Sequence, residues 1–408
     1  MPYSLLEAKP IEELCKVVDC EHKTAPYVDE SDYLVVRTSN IRDGQLVMES
    51  MKYTTLEGYN EWTSRAVPEY GDVLFTREAP AGESCLVPSD TKVCMGQRMV
   101  MLRPHKSEVD PVFLSMILNT KRTKNDIYRL SIGSTVSRIN IADIRKLKVA
   151  SPPLPEQQKI AKILTTWDKA INATERLIDN SKQQKKSLMQ QLLTGKKRLL
   201  DDNGKRFEGE FNQHRLSELV NIDKKSLGKN TPENYEFEYI SLSDVSTGTI
   251  SKSLERHVFS SAPSRARRIV KENDLLLATV RPNLKGFAKA RKEHDGFVAS
   301  TGFAVLSAKK DVSSDYVYHY LFSHHLTGQI NALVVGSNYP AINSSDVGSL
   351  KILCPPLEEQ QKIATVLTNA DREIELLEQQ LADLQQEKKA LMQVLLTGKK
   401  RVVVDGES

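Results

Sequence analysis

The chain contains one long segment twice, and this duplication restricts its possible folds more than any other feature. Residues 133–198 and 336–401 align without a gap at a constant offset of 203 positions, and 34 of the 66 aligned residues are identical. The stretches that precede the two copies hardly match each other. The order variable, constant, variable, constant is typical of two modules with different surfaces on one repeated frame.

Each copy predicts one long helix with its own start and stop signals. A Pro-Pro pair at 152–153 and again at 355–356 ends the preceding strand, because proline lacks an amide hydrogen and restricts the residue before it. Glu156 and Glu359 lie in the first turn, where a negative charge suits the helix dipole. The glycine of the closing Thr-Gly-Lys-Lys segment, Gly195 in the first copy, is a typical C-terminal cap.

The two helices carry a coiled-coil pattern. Seam residues in 160–192 and 363–395 recur at alternating spacings of four and three over about five heptads. The simplest arrangement is an antiparallel pair, a rod of about 58 Å with the variable domains at opposite ends. Lys185 and Lys388 interrupt the seams, and each would lie near the acidic first turn of the other helix. In the alternative arrangement, each helix packs separately onto its own domain.

The two variable regions predict one mixed α/β fold with two different surfaces. One helix is predicted before each constant copy, at Pro111 to Asn125 and at Asp315 to Gln329. An arginine follows an aspartate-initiated strand in both regions, which suggests that Arg77 and Arg281 are equivalent. The predicted strands, bounded by glycine or polar turns, are Tyr33 to Val36, Asp72 to Phe75, Met99 to Leu102, Glu238 to Leu242, Asp274 to Leu277 and Phe303 to Leu306.

These signals predict an α+β protein: two mixed α/β domains separated by two long constant helices that pair as an antiparallel coiled coil. The predicted segments are a first variable domain at 1–150, a first helix at 151–198, a second variable domain at 199–353, and a second helix with a C-terminal tail at 354–408.

Composition agrees with a globular protein, since 39% of the residues are apolar and 27% are charged. No apolar run approaches the ~18 residues of a membrane span. The first ten residues lack the basic-then-apolar order of a signal peptide, so we expect a cytoplasmic protein. The five cysteines form no C-x-x-C pair, which suggests reduced thiols or small core residues.

The net charge is only +4, but basic residues cluster at 146–148, 196–198, 265–268 and 399–401. Each cluster, taken alone, is either a solvated face or a contact to phosphate. Nucleic-acid binding is therefore permitted by the charge but not required by it.

Catalytic motifs are missing from the sequence. It contains no Walker A loop, no G-x-S-x-G or H-E-x-x-H motif, and no Asn/Asp-Pro-Pro-aromatic signature of amino-methyltransferases. His319, His324 and His325 cluster on a predicted helix, but no cysteine or carboxylate completes a metal-ligand spacing. We therefore predict a non-catalytic protein that binds no metal.

Polar residues on loops near strand ends are the candidates for reading DNA bases. Arginine pairs with guanine and asparagine with adenine through two hydrogen bonds each in the major groove. The alternative for a loop serine or asparagine is a role in forming the turn. The candidates are Arg37, Ser39, Asn40, Arg77, Ser134, Arg138, Asn140, Ser243, Arg281, Asn283, Lys285, Asn338 and Tyr339.

The repeated motifs resemble the specificity subunit of bacterial type I restriction-modification systems. The resemblance rests on Pro-Pro-Leu-(Pro/Glu)-Glu-Gln-Gln-Lys-Ile-Ala at 152–161 and 355–364, and on Leu-Met-Gln-x-Leu-Leu-Thr-Gly-Lys-Lys-Arg at 188–198 and 391–401. It covers essentially the whole chain, and its motifs occur twice at one offset.

The resemblance implies that each variable region is a target recognition domain for one half of a split DNA sequence. It implies that the constant helices set the gap and dock two modification subunits, which use S-adenosylmethionine to methylate adenine. A restriction subunit would add translocation and cleavage with ATP and Mg²⁺. No cofactor is expected on this chain, and its unlike variable regions imply an asymmetric target.

Two other functions remain open from the residues alone. One is a structural coiled-coil adaptor with two protein-binding heads. The other is a self-contained DNA nuclease or methyltransferase, which would need an acidic metal site or a cofactor loop that the sequence does not reveal.

Overall fold

The two constant segments form helices of 39 residues each, and both helices are shared between two units of the chain. The computed structural model describes residues 6–20, 25–132, 137–334 and 340–403. Unit 1 consists of Met1–Thr174 with Gln380–Ser408, and unit 2 consists of Glu175–Gln379. Because the units divide both helices, the segment boundaries at 150, 198 and 353 stay predictions.

Unit 1 contains eleven strands among its described residues. Strands β1 to β11 are Ala8–Pro10, Cys15–Asp19, Tyr33–Val36, Ile41–Arg42, Gln45–Leu46, Lys52–Thr54, Val73–Thr76, Ser84–Leu86, Lys92–Met95, Met99–Pro104 and Lys148–Ala150. Helices α1 to α6 are Ile11–Leu14, Leu56–Trp62, Pro111–Leu118, Lys121–Leu130, Ile141–Lys146 and Leu154–Leu192, the last of which continues into unit 2.

The strands of unit 1 form two main sheets. The order β2-β10-β7-β8 makes an antiparallel sheet, and the order β6-β3-β9 makes a second sheet in which β3 and β9 are parallel. Two-stranded pairs β1-β11 and β4-β5 complete the unit. Fully buried side chains of β7 and β10 pack against α3, so one helix covers the first sheet.

Unit 2 repeats this topology with one additional strand. Its sheets have the orders β13-β22-β19-β20 and β17-β14-β21-β18, with the pairs β12-β23 and β15-β16. Strands β12 to β23 are Asn212–Arg215, Val220–Ile222, Glu236–Ile240, Val245–Ser246, Thr249–Ile250, Glu255–Val258, Ala266–Ile269, Leu275–Ala278, Phe287–Lys289, Val298–Ser300, Phe303–Ala308 and Lys351–Cys354. Helices α7 to α11 are Leu216–Leu219, Ser314–Leu321, His324–Leu333, Ser344–Ser349 and Leu357–Leu395. The prediction of one α/β fold in both variable regions is confirmed.

Two predicted helices are wrong in one respect, because each is broken into two. The break before α4 lies at Thr120, whose side-chain oxygen accepts a hydrogen bond from the Thr123 N–H at 3.3 Å. The break before α9 lies at Ser323, which accepts from the Leu326 N–H at 3.2 Å. A capping hydroxyl thus starts a second helix where the apolar pattern suggested one continuous helix.

Each unit builds its core from the start of one constant helix and the end of the other. These helix segments contribute buried side chains that pack with the helix covering the first sheet. The residues are Phe113, Ile160 and Leu395 in unit 1 and Tyr316, Ile363 and Leu192 in unit 2. All five cysteines are also buried and free of disulfides.

Ion pairs define the direction in which the helices pair. In unit 1, Lys388 of α11 contacts Asp168 of α6, and in unit 2, Lys185 of α6 contacts Asp371 of α11. Beyond the helix ends, Arg401 reaches back to the first turn of α6 at Glu156. Within each unit, residues later in one helix contact residues earlier in the other. The predicted antiparallel pairing of the two helices is therefore confirmed.

The predicted partners of the two seam lysines are wrong. Lys185 and Lys388 do not reach the acidic first turn of the other helix. Their partners lie twelve residues beyond Glu359 and Glu156, which is about 18 Å along a helix. The first-turn glutamates instead receive the arginines that follow each helix.

The arginine–glutamate pairs are bidentate and buried on the glutamate side. Arg198 donates from Nε and Nη2 to the two carboxylate oxygens of Glu359 at 2.8 and 2.6 Å, and Glu359 is 0% exposed. Arg401 does the same to Glu156 at 2.7 and 2.5 Å. Burial raises the pKa of Glu156, but hydrogen bonds from Arg401 and the Val402 N–H outweigh burial and hold the pKa below its usual value.

The glutamine after each glutamate ties the helix start to the variable region. Gln157 accepts from the Asp110 N–H at 3.0 Å and donates to the Pro152 carbonyl at 2.7 Å. Gln360 accepts from the Ser313 N–H at 2.9 Å and donates to the equivalent proline carbonyl at 2.8 Å. The repeated Glu-Gln sequence is therefore a structural junction in both units.

The predicted glycine caps lie just beyond the helices. Helix α6 ends at Leu192 and α11 at Leu395, each three residues before its glycine. Gly195 and Gly398 adopt φ values of +70° and +73°, which side chains disfavour. A Cβ at Gly195 would lie 2.9 Å from the ring of Phe211, so the close approach also requires glycine.

Replacing Glu359 with alanine should lower the free energy of unfolding of unit 2 by about 3 kcal/mol, because the Arg198 guanidinium would lose its buried counter-charge. The matched control is Glu358→Ala, since Glu358 is exposed and should change stability by no more than about 0.5 kcal/mol. Urea denaturation of the full chain measures both. Equal effects of the two substitutions would contradict a supporting role for the ion pair.

His319 is a buried histidine that faces the second constant helix. Its Nε2 lies 2.9 Å from the hydroxyl of Thr368, and its Nδ1 lies 3.7 Å from Asp371. Burial lowers the pKa of His319 to about 4, Asp371 opposes the shift, and Lys185 reinforces it. Unit 2 therefore holds this imidazole neutral.

This lowered pKa predicts a loss of stability in acid. The unfolded chain binds a proton at His319 near pH 6.5, whereas the folded chain binds it only near pH 4, so stability falls as the pH drops through this window. The expected loss is about 3 kcal/mol at 1.36 kcal/mol per pKa unit. His319→Gln should remove that part of the pH dependence of unfolding, whereas exposed His324→Gln should retain it. Parallel pH profiles for wild type and His319→Gln would contradict this assignment.

Candidate nucleic-acid interface

A short turn after β19 presents three of the predicted base-reading residues in unit 2. Arg281 and Lys285 flank a 3-10 turn and adopt φ values of 49° and 54°. Such values are strained for residues other than glycine and persist only where the surroundings fix them. The Arg281 N–H donates to the Pro340 carbonyl at 2.7 Å, and Pro282 is buried. The fixed backbone leaves the Arg281 and Asn283 side chains exposed.

One side of this turn borders a cavity of about 780 Å³, called the reading cleft below. Two predicted residues, Ser243 and Arg281, lie together in its wall. The polar and charged lining residues are Ser243, Ser246, Thr247, Arg265 and Arg281. Guanidinium and hydroxyl groups in one concave surface can hydrogen-bond to the edges of bases.

The other end of the turn borders a second cavity, of about 690 Å³, called the lysine cleft below. Lys285 lies here and not in the reading cleft. The basic lining residues are Lys182, Lys185, Lys186, Lys196, Lys285, His324 and His325, and the apolar ones include Met189, Leu193 and Phe322. No aspartate or glutamate lines the described wall of this cavity.

The predicted equivalence of Arg77 and Arg281 is wrong. The Arg77 N–H donates to the Arg98 carbonyl at 2.8 Å, and the Arg77 carbonyl accepts from the Ile139 N–H at 3.0 Å. In unit 2, Thr279 makes the equivalent backbone bonds to Gly302 and Ile342, at 2.8 and 2.9 Å. Arg77 therefore corresponds to Thr279. Two residues further on, Ala79 and Arg281 share the left-handed conformation, with φ values of 53° and 49°. The two arginines suggested the wrong correspondence, because one matching residue type in two otherwise different loops does not define which backbone positions are equivalent.

Two predicted readers of unit 1 lie inside the unit. Arg77 is 4% exposed and pairs with Asp19 at 3.1 Å. Asn40 is 0% exposed, and its amide donates to the carbonyls of Val47 and Glu49 at 3.2 Å. Both side chains hold loops together in this structure, so their assignment to base contacts stays a prediction that the geometry does not favour.

The remaining candidates of unit 1 are closer to the surface. Arg37 is half-buried and donates to the Ser50 carbonyl at 2.6 Å, and Ser39 is exposed. Arg138 is exposed and pairs with Glu78 at 3.2 Å. Asn140 is half-buried at the start of α5, without a side-chain capping bond. Ser134, Asn338 and Tyr339 lie outside the described residues.

Several residues of both clefts were not among the predicted base-reading residues. Arg265, Lys196 and Arg198 belong to the basic clusters at 265–268 and 196–198, and the structure separates their roles. Arg265 lines the reading cleft and Lys196 lines the lysine cleft, whereas Arg198 forms the ion pair with Glu359. Thr247 had no signal beyond its position in a turn.

The histidine cluster separates into different environments. His319 is buried, whereas His324 and His325 line the lysine cleft, and His325 Nδ1 lies 2.8 Å from the Tyr320 hydroxyl. Over the described ranges, no three histidine, cysteine or acidic side chains are grouped as a metal site would require. Within those same ranges, no helix has the length and apolar character needed to cross a membrane.

Comparison with known proteins identifies one family. A family model described as the type I restriction modification DNA specificity domain matches twice, at residues 4–181 and 208–386. The type I restriction enzyme MjaVIII specificity subunit of Methanocaldococcus jannaschii is 26% identical over 93% of this chain and 89% of that protein. The EcoKI specificity subunit of Escherichia coli is 22% identical over 82% and 74% of the two chains.

Solved structures are similar in fold. The HsdS subunit from Thermoanaerobacter tengcongensis superposes with a TM-score of 0.52 at 20% identity, over 98% of this chain and 99% of that one. The S subunit of a type I restriction-modification system from M. genitalium gives a TM-score of 0.58 at 15% identity, over 95% of both chains.

Proposed function

The chain belongs to the family of type I restriction-modification DNA specificity domains, and we propose that its two units read the two unlike halves of a split, asymmetric DNA target. It is the specificity subunit of such a system, with DNA sequence recognition as its task. The two matches to the family model each cover most of one variable region. Because those regions differ in sequence, the two half-sites should differ as well.

The observation that best supports base reading is the rigid turn beside the reading cleft. Arg281 is exposed there and lines the same cavity as Ser243 and Arg265. An arginine can donate two parallel hydrogen bonds to O6 and N7 of guanine, and serine can bond to either type of base edge. A backbone fixed at both ends of the turn limits the conformations that must be ordered on binding.

This chain acts together with other restriction-modification subunits and DNA. Our proposal is that two modification subunits bind its repeated helices, use S-adenosylmethionine and methylate adenine. Restriction subunits with ATP and Mg²⁺ would add translocation and cleavage. The duplication supports two copies of one partner, because helices with the same sequence in the same junction offer the same surface twice.

Long-read mapping of adenine methylation tests the proposed function in cells that contain the modification partner, with and without this chain. We expect a split asymmetric motif that appears only with the chain, and its spacing gives the gap directly. An unchanged methylation pattern, with the assembled complex confirmed, would contradict the proposal and favour the adaptor.

Arg281→Ala should weaken recognition of one half-site only, at a cost of about 1–3 kcal/mol for a base-reading arginine. The substitution adds no new backbone strain, because Arg281 already has a positive φ of 49° and Ala79 shows that alanine adopts such a value, 53°, in unit 1. Binding constants would be measured on duplexes in which either half-site is altered.

The matched control is Arg206→Ala, which removes an exposed arginine of the same unit that does not line the reading cleft. Arg281→Ala should lose discrimination at its half-site, whereas Arg206→Ala should not. If Arg281→Ala lowers the affinity for every duplex equally, Arg281 contacts phosphate or supports structure and does not read a base.

A further inference from the structure

We propose that the lysine cleft of unit 2 is a phosphate site, which holds the DNA backbone beside the base-reading turn. This inference rests on the proposed function and adds to it a division of labour between two neighbouring cavities. Contacts to phosphate position a protein on DNA, and contacts to bases provide specificity.

The lysine cleft has an excess of positive charge, which favours binding of an anion. Two of its five lysines are already neutralised by helix α11, since Lys182 pairs with Glu378 at 2.7 Å and Lys185 pairs with Asp371. Among the described residues, no salt bridge joins Lys186, Lys196 or Lys285 to a carboxylate, whereas Lys182 and Lys185 each have one. Three ammonium groups facing one concave surface raise the local potential and attract a polyanion.

The start of helix α9 adds further donors to the cleft. Ser323 and His324 lie in its wall, where the ten-residue helix begins. The Ser323 side chain caps the Leu326 N–H, which leaves other first-turn amides without an intrahelical acceptor. Backbone amides at a helix start favour phosphate oxygens, so this end complements the lysines.

The turn after β19 links the cleft to base reading. Lys285 lies in the lysine cleft, whereas Arg281 and Leu284 lie in the reading cleft. Backbone bonds of 3.0 Å from Leu284 to Arg281 and from Lys285 to Pro282 fix the turn. A ligand with phosphates and bases at a fixed separation can occupy both cavities together. This continuity favours DNA over an acidic segment of a partner protein.

Unit 1 retains positive charge at the equivalent places. Lys186 and Lys196 correspond to Lys389 and Lys399 in the second constant copy. Helix α4 begins with Lys121-Arg122 where α9 begins with His324-His325, although the surrounding sequences differ. Lys285 has no such counterpart, since residues 78–83 of the unit 1 turn contain no lysine or arginine, so its charge belongs to the second half-site alone.

The test uses the full chain assembled with its modification subunit. The combined variant Lys186→Gln, Lys196→Gln and Lys285→Gln is compared with wild type on two duplexes, one with the target found by methylation mapping and one with both half-sites scrambled. Dissociation constants are measured from low to high salt. Each lost phosphate contact should make the slope of log affinity against log salt shallower by about 0.9.

We expect the variant to lose the same factor in affinity for both duplexes and to have a slope shallower by up to about 3. The matched control is Lys252→Gln, Lys292→Gln and Lys310→Gln, which removes equal charge from exposed positions outside the cleft. A slope equal to that of the control would overturn the proposal. So would loss of the modification subunit from the variant in the absence of DNA, because the cleft would then dock protein.

A second measurement needs no substitution. Reductive methylation of lysines in the wild-type complex, followed by mass spectrometry, should show that DNA protects Lys186, Lys196 and Lys285. Unchanged labelling at all three would overturn the proposal. Failure of the proposed function looks different, because the wild-type complex would then not prefer the target duplex over the scrambled one.

Discussion

The fold of each unit depends on an arginine that crosses from one constant copy to the glutamate of the other. Arg401 holds Glu156 in unit 1, and Arg198 holds Glu359 in unit 2. Each copy therefore carries one half of two different pairs. A chain with a single copy would leave a buried carboxylate without its guanidinium, which is far more costly than never having the pair. The duplication is thus a structural requirement of this junction as well as a means of presenting two domains.

Local signals in the sequence predicted the two constant helices and the six strands named above closely. Proline pairs, glycine caps and alternating apolar spacing act over a few residues, so they can be read without the fold. Tyr33–Val36 was predicted to the residue. The errors arose where a short polar residue competed with an apolar pattern, as at Thr120 and Ser323. The seam lysines also found partners that depend on the stagger of the pair, which heptad spacing alone does not define.

The candidate interface was harder to predict, because exposure depends on contacts between distant residues. Asn40 and Asn283 are the same residue type in similar loops, yet Asn40 is buried by its bonds to residues 47 and 49 and Asn283 is exposed. The lysine cleft brings together Lys186, Lys285 and His324, and the first and last of these are about 140 residues apart in the sequence. No local sequence motif could therefore predict this cavity. The sequence therefore predicted which types of side chain form the interface. Tertiary packing determined which of those residues are exposed there.

The left-handed residue shared by the two units has a consequence for how such proteins change. Alanine occupies this position in unit 1 and arginine in unit 2, and both residues have a positive φ. The conformational strain is similar for side chains other than glycine, so one can replace another without a new cost to the fold. If this turn reads DNA, a single codon change could give the protein a different target while its scaffold stays the same. Evolution of new sequence preferences would then be separated from evolution of stability.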